Sequence, residues 1–182
     1  MTASATVKDG ANLRRIVAQI DHDQHRSAIV DGHFVGGLHL AVMTGPFLDM
    51  IVAGRKTVES RFHRQRRTPL FTAKPGDVVI FRQSGRPASV AAILGDTYYL
   101  DIAESGIDQI RATWASRIGC DDDDFWAARA DARWVSLLLL DSVFSIPPQP
   151  LHKRDRQAWV SYPCPQHVSA QEVLFDQGGL TH

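Results

Sequence analysis

Eight consecutive residues, Gly54-Arg55-Lys56-Thr57-Val58-Glu59-Ser60-Arg61, place a Lys, a Glu and an Arg within six positions, directly after the short apolar run Phe47-Leu48-Asp49-Met50-Ile51-Val52-Ala53. An ammonium can contact a phosphate, donate a proton or, if desolvated, act as a base. A carboxylate beside it can accept from a base edge or activate water. Gly54 is a natural helix stop, because glycine takes the left-handed C-terminal conformation without a side-chain clash, and Thr57-Val58 opens a β-branched segment. The charges therefore fall where helix turns into strand. Period-two alternation puts Thr57, Glu59 and Arg61 on one strand face and Val58, Ser60 and Phe62 on the other, so that Glu59 and Arg61 can pair; Lys56 lies in the turn and can lean either way.

The segment fits Gly-x-Lys-x-x-Glu-x-Arg, and here the chain resembles the ASCH domain family, a branch of the PUA-like β-barrels associated with RNA. Three further stretches carry the resemblance in the family's order. They are the strand-like Leu38 to Met43, the turn-strand-turn of Lys74 to Gly85, and the closing segment Asp155-Arg156-Gln157-Ala158-Trp159-Val160. The resemblance spans about 36 to 162 and implies an α+β fold: a PUA-like mixed or antiparallel β-barrel with flanking helices. The chain divides on this reading into an N-terminal extension with an amphipathic helix (1–35), an ASCH/PUA-like domain (36–162) and a C-terminal tail (163–182). Some members of the family are amidohydrolases that remove the acetyl group from acetylated cytidine, and their catalytic Lys matches Lys56. Their catalytic Thr falls at Glu59, and a further catalytic Glu has no assigned equivalent here. The hydroxyl nucleophile is thus missing, which argues against carrying the deacetylase activity over.

Composition excludes several classes. The 182 residues suit one domain with extensions. Lys plus Arg equals Asp plus Glu at 20 each, so a nucleic-acid interface must rest on a local patch. Cys120 and Cys164 show no metal or redox spacing, and the start has no basic region followed by an apolar stretch, which reads as a cytoplasmic protein with free thiols. The apolar run Trp134 to Leu140 is too short to cross a bilayer and has the length of a buried strand. Asp21-His22-Asp23-Gln24-His25 offers two His without a third ligand, and Asp121 to Asp124 caps the helix that follows it, so no metal is expected. Phosphate-binding glycine loops and hydrolase elbows are absent, and no cofactor is expected.

Around the motif, residues 1 to 10 read as disordered. Leu13, Ile16, Val17 and Ile20 recur at helical spacing with Arg14 and Arg15 between them, giving a helix that packs on the barrel or on a second subunit, the latter making a homodimer. Ala88 to Leu100 and Trp134 to Ile146 read as strands, the second broken by Pro147-Pro148. Ile107, Ile110, Trp114 and Ile118 mark a helix stopped by Gly119. Trp159, between Ala158 and Val160, has the pattern of a buried strand, and Trp114, Trp126 and Trp134 are read as core with it.

The candidate site follows. The run Arg61, His63, Arg64, Arg66 and Arg67 gives five basic or potentially basic side chains in seven positions, a phosphate patch on a neutral protein. Arg82 and Ser84 end a strand at what the resemblance makes the cleft rim, and Arg156 comes from the closing segment. The expected function is binding of RNA or a nucleoside-like molecule at the barrel mouth, read by Lys56, Glu59 and Ser84. Two alternatives stand beside it. One is a hydrolase of a nucleoside amide or an RNA phosphodiester, with Lys56 and Glu59 catalytic. The other is a protein-interaction role through the N-terminal helix.

Overall fold

The structure, a computed structural model, describes residues 2–20, 23–151 and 157–162. It begins with helix α1 (Thr2–Ala18), a short α2 (Asp23–Arg26) and a hairpin of β1 (Ile29–Val30) with β2 (His33–Phe34). Then come β3 (Leu38–Met43), α3 (Phe47–Val52), β4 (Val58–His63), β5 (Val78–Gln83) and β6 (Ala88–Asp101). Helices α4 (Ile102–Ser105), α5 (Ile107–Ile118) and α6 (Asp123–Ala127) precede β7 (Trp134–Gln149) and β8 (Trp159–Tyr162). Six strands form one sheet in the order β4-β7-β6-β5-β3-β8, with β3 and β5 parallel and every other pair antiparallel. The sheet curls into a half-barrel whose edge strands, β4 and β8, face each other across an open seam.

Alternation sorts the side chains. On β3, Ala41 and Met43 enter the core inside the curl with Phe81, Leu138 and Trp159, while Leu38 and Leu40 join Leu13, Val17 and Tyr162 outside it. On β4, Val58 and Phe62 pack under α5 and α6 with Ile118 and Trp126, which leaves Glu59 and Arg61 on the concave face, as the period-two reading requires. The helix stops fall where glycine lies, with φ +68° at Gly54 and +79° at Gly119. Asp122 caps α6 by accepting from the Phe125 N–H at 3.0 Å.

Two expectations are corrected. Residues 2–10 are helical rather than disordered, continuing into a part of α1 that is fastened from Gly10 onward. Leu13 and Val17 are fully buried, each contributing about 1.5–3 kcal/mol. Gly10 lies so close to Tyr162 that an added Cβ would meet its ring at 2.9 Å. Arg14, between the apolar positions, is buried and donates to the carbonyls of Phe34 (2.8 Å), Gly36 (2.7 Å) and Tyr162 (3.3 Å). The second correction concerns Pro147-Pro148, which does not end β7. The strand continues to Gln149, and the prolines sit where its register with β6 shifts between Val90 and Ala88, a place that needs no donor from them. Among the described residues no helix is long and apolar enough to cross a membrane.

Candidate functional site

The turn from α3 into β4 aims Lys56 inward. Arg55 and Lys56 both donate their backbone N–H to the Met50 carbonyl, at 2.9 and 3.1 Å, closing the helix end around Gly54. Lys56 is 3% exposed, and its Nζ donates to the carbonyls of Val58 (2.7 Å) and Ile118 (3.1 Å). Gly119 lies over it, where a side chain would collide with Met50 Cε at 2.6 Å. The same Nζ is 3.3 Å from Glu59 Oε2, and Glu59 Oε1 is 2.7 Å from Arg61 Nε. Arg61 reaches on across the seam, donating to the Val42 carbonyl at 3.3 Å and resting 5.6 Å from the Trp159 ring centre.

This charged chain is close in distance but incompletely bonded. Glu59 Oε2, Arg61 Nε and Trp159 Nε1 are buried and have no aligned hydrogen-bond partner among the described residues. Glu59, at 3% exposure, sits between two cations, and the Arg129 guanidinium lines the same cavity, 3.4 Å from the Phe125 ring centre. With three cations to one carboxylate, the cavity favours an electron-rich group. Burial pulls the Lys56 pKa below its ordinary 10.5, and Glu59 opposes that shift. Burial likewise lowers Arg129.

The cavity measures about 100 Å³ and shares Arg61 with a groove of about 850 Å³ lined by Phe62, His63, Arg67, Thr68 and Trp159. That groove is the seam between β4 and β8. His63 is held below its usual 6.5 by burial first, then by the charges of Arg61 and Arg67.

The structure brings together Lys56, Glu59 and Arg61, with Arg67 along the seam, and separates the rest. Arg64 turns outward to an exposed ion pair with Asp131, and Arg66 stacks against Phe71 and Trp134. The basic run is thus not one phosphate patch, because successive side chains leave the strand end in different directions. Arg82 and Ser84 line neither the cavity nor the seam. Ser84 is exposed in the turn after β5, where its N–H donates to the Met43 carbonyl at 2.9 Å. Arg156 lies outside the described residues, as do Asp155, His22 and Cys164. Trp126 and Trp159 are core, but Trp114 and Trp134 are only half-buried, each carrying a stacked arginine. Arg129 was missed; the only signal for it was its spacing of four from Phe125, which means nothing until α6 is laid over β4. Among the described residues no group of three or more His, Cys, Asp or Glu could hold a metal ion.

A curled, mixed six-stranded sheet with an open seam and flanking helices is a PUA-like half-barrel of the α+β class. Its fold is that of an ASCH domain. The crystal structure of ASCH from Zymomonas mobilis superposes with a TM-score of 0.55 at 17% identity, over 69% of this chain and 87% of that one. A serine-to-alanine variant of the Zymomonas protein gives 0.48 at 18% identity, over 61% of this chain and 72% of the other. A tyrosine-to-phenylalanine variant gives 0.45 at 20%, over 61% and 73%. No family model matches the sequence, and no curated protein matches it either.

Proposed function

We propose that the chain is a binding module for RNA or a modified nucleoside. The polar edge of a base meets Lys56, Glu59 and Arg61, and the sugar-phosphate lies in the seam beside His63 and Arg67. One observation carries this reading: of the four buried side-chain polar atoms without an aligned hydrogen-bond partner among the described residues, three, on Glu59, Arg61 and Trp159, converge on the cavity and the seam, and only Arg82 Nε lies elsewhere. Glu59 Oε2 faces the Lys56 ammonium at 3.3 Å without an aligned hydrogen bond, and a buried acceptor short of its bonds costs up to about 1–3 kcal/mol, a cost that a ligand N–H offered to it reduces. Trp159 Nε1 offers the complementary donor. A cavity of about 100 Å³ is small beside the roughly 300 Å³ at which small-molecule pockets begin, so only the edge of a base enters it. The Lys56 ammonium spends two of its donors on carbonyls, which makes it a fixed charge rather than a mobile base.

A hydrolase of a nucleoside amide or RNA phosphodiester is the second reading. It is favoured by a Glu59 oxygen without an aligned hydrogen bond beside a lysine of lowered pKa, a pairing able to activate water. The homodimer or protein-interaction role through α1 has less support, since Leu13 and Val17 are already buried in the chain's own core.

The deciding experiment titrates wild type and Glu59→Gln with a short single-stranded RNA and a panel of modified nucleosides, following heat of binding and, by mass spectrometry, product. Binding without product, weakened about tenfold or more in Glu59→Gln, supports the module. Product that disappears in Glu59→Gln assigns a hydrolase instead, and ligand binding indifferent to Glu59→Gln removes the site from both readings.

A further inference from the structure

Just outside the seam, at its Arg67-Thr68 end, lies a second surface that the cavity does not use. Phe71 is 50% exposed, and its ring centre is 5.2 Å from that of Tyr99 and 6.0 Å from that of Trp134. Arg66 lies against both, 5.5 Å from the Phe71 ring centre and 5.0 Å from that of Trp134. Arg133 rests 5.5 Å from the Trp134 ring centre and is neutralised by Asp101 at 2.5 Å. Arg66 and Arg67 make no ion pair with a carboxylate among the described residues. Trp134 stands opposite His63 in the β4–β7 register, and His63 lines the seam, so this surface continues the groove.

Phe71 suits its position in neither respect that would explain it structurally. Its φ is +61°, a left-handed conformation that glycine or asparagine takes readily and a bulky side chain does not. Half its surface is left in water, so burial does not compensate. The loop around it is nonetheless fixed: Leu70 and Ala73 on either side are buried, and the N–H groups of Leu70, Thr72 and Ala73 donate to Arg67 and Pro69 carbonyls at 2.8, 2.9 and 3.3 Å. A strained backbone thus holds an aromatic ring outward beside a guanidinium that lacks a counter-charge. Aromatic faces with arginine planes stack on any base, and unpaired guanidinium groups meet phosphates.

We propose that Phe71, Arg66 and Trp134 form a stacking subsite for a base of a single-stranded polynucleotide, next to the nucleotide held in the seam. The ligand is then a strand rather than a free nucleoside. The inference rests on the seam reading only for what lies beside the subsite.

The test compares uridine 5′-monophosphate with seven-residue oligomers of uridine and of thymidine, and with an RNA duplex, at one fixed salt concentration. The proteins are wild type, Phe71→Gly, Arg66→Ala and Glu59→Gln. Stacking predicts that Phe71→Gly weakens oligomer binding about fivefold to a hundredfold and leaves the monophosphate unchanged. The thermal midpoint should not fall with it, because glycine relieves the positive φ. Arg66→Ala, a surface change, should lose oligomer affinity as well. A uridine preference assigns RNA, and equal binding of both oligomers assigns single strands of either sugar. Oligomer binding unaffected by Phe71→Gly and Arg66→Ala, or duplex binding as tight as that of the single strand, overturns the subsite. If the monophosphate fails to bind wild type while the oligomer still depends on Phe71, the seam reading falls and the subsite stands. If Glu59→Gln weakens both ligands and Phe71→Gly neither, the seam reading stands and the subsite falls.

Discussion

The half-barrel encloses two buried polar clusters that differ in one respect. At one end, His39 Nδ1 meets Ser161 Oγ at 2.9 Å and His39 Nε2 meets Asp77 Oδ2 at 3.0 Å, while the same Asp77 oxygen accepts the Lys74 N–H at 2.9 Å. None of this Ser-His-Asp set is among the buried atoms left without a hydrogen-bond partner in the described residues. At the other end, Lys56, Glu59 and Arg61 are ion-paired, yet Glu59 Oε2 and Arg61 Nε find no aligned hydrogen bond among the described residues. The first set resembles a catalytic triad in composition, yet it joins β3, the turn before β5 and β8, and its bonds close upon themselves. The second contains no hydroxyl and remains open. Residue types alone would rank the two the other way round. Satisfaction is what separates a strut from a site, because a closed network has nothing left to offer a ligand.

The sharpest way to break that contrast is Lys56→Met. It strips a cation from Glu59 and a donor from two backbone carbonyls, and should cost about 3–5 kcal/mol in urea unfolding. Adding Glu59→Gln should recover part of that loss. A double variant that loses the full sum of the singles would show that the two residues are not one unit. Next in size is His39→Phe, which takes one of two partners from Asp77 Oδ2 and the imidazole from Ser161, and should cost about 1–3 kcal/mol while leaving oligonucleotide affinity within about twofold. A large affinity loss in this variant would mean that the closed cluster also serves the ligand.

Proton linkage sharpens the comparison at smaller amplitude. The folded pKa of Lys56 lies below 10.5, so between that pKa and 10.5 the unfolded chain binds more protons, and stability should rise with pH over that window. His63, lowered from 6.5, takes its proton first in the unfolded chain as pH falls through 6.5. Its stabilising contribution is present above 6.5 and declines until the folded pKa is reached. Stability measured against pH in Lys56→Met and His63→Gln should lose the alkaline rise and the acid decline respectively. An anion in the seam should bind more tightly as pH falls, since it favours protonated His63. Arg67→Ala comes last, changing stability by less than about 0.5 kcal/mol while lowering the salt slope of oligonucleotide binding by about one. A slope left unchanged would take the phosphate out of this part of the seam.

Legibility followed range. Gly54 and Gly119, the Asp122 cap and the alternation of β4 were readable because each depends on a residue and its near neighbours. The pairing of Glu59 with Arg61 came from the same local rule, being two apart on one strand. The burial of Lys56 was not readable, since it hangs on a carbonyl 62 residues away at Ile118. The burial of Arg14 was not readable for the same reason, one of its acceptors lying 148 positions on at Tyr162. The basic run 61 to 67 looked like one patch because sequence records adjacency but not direction.

The amino-acid order by itself therefore determined the helix stops at Gly54 and Gly119, the cap at Asp122 and the charged trio at the head of β4, because backbone sterics, capping and side-chain alternation act between neighbours. Only the tertiary structure decided which charges were buried, which polar atoms went without partners, and that β4 and β8 would face each other across a seam. Those outcomes require distant segments to close upon one another, and desolvation, which lowers the Lys56 pKa, exists only once they have.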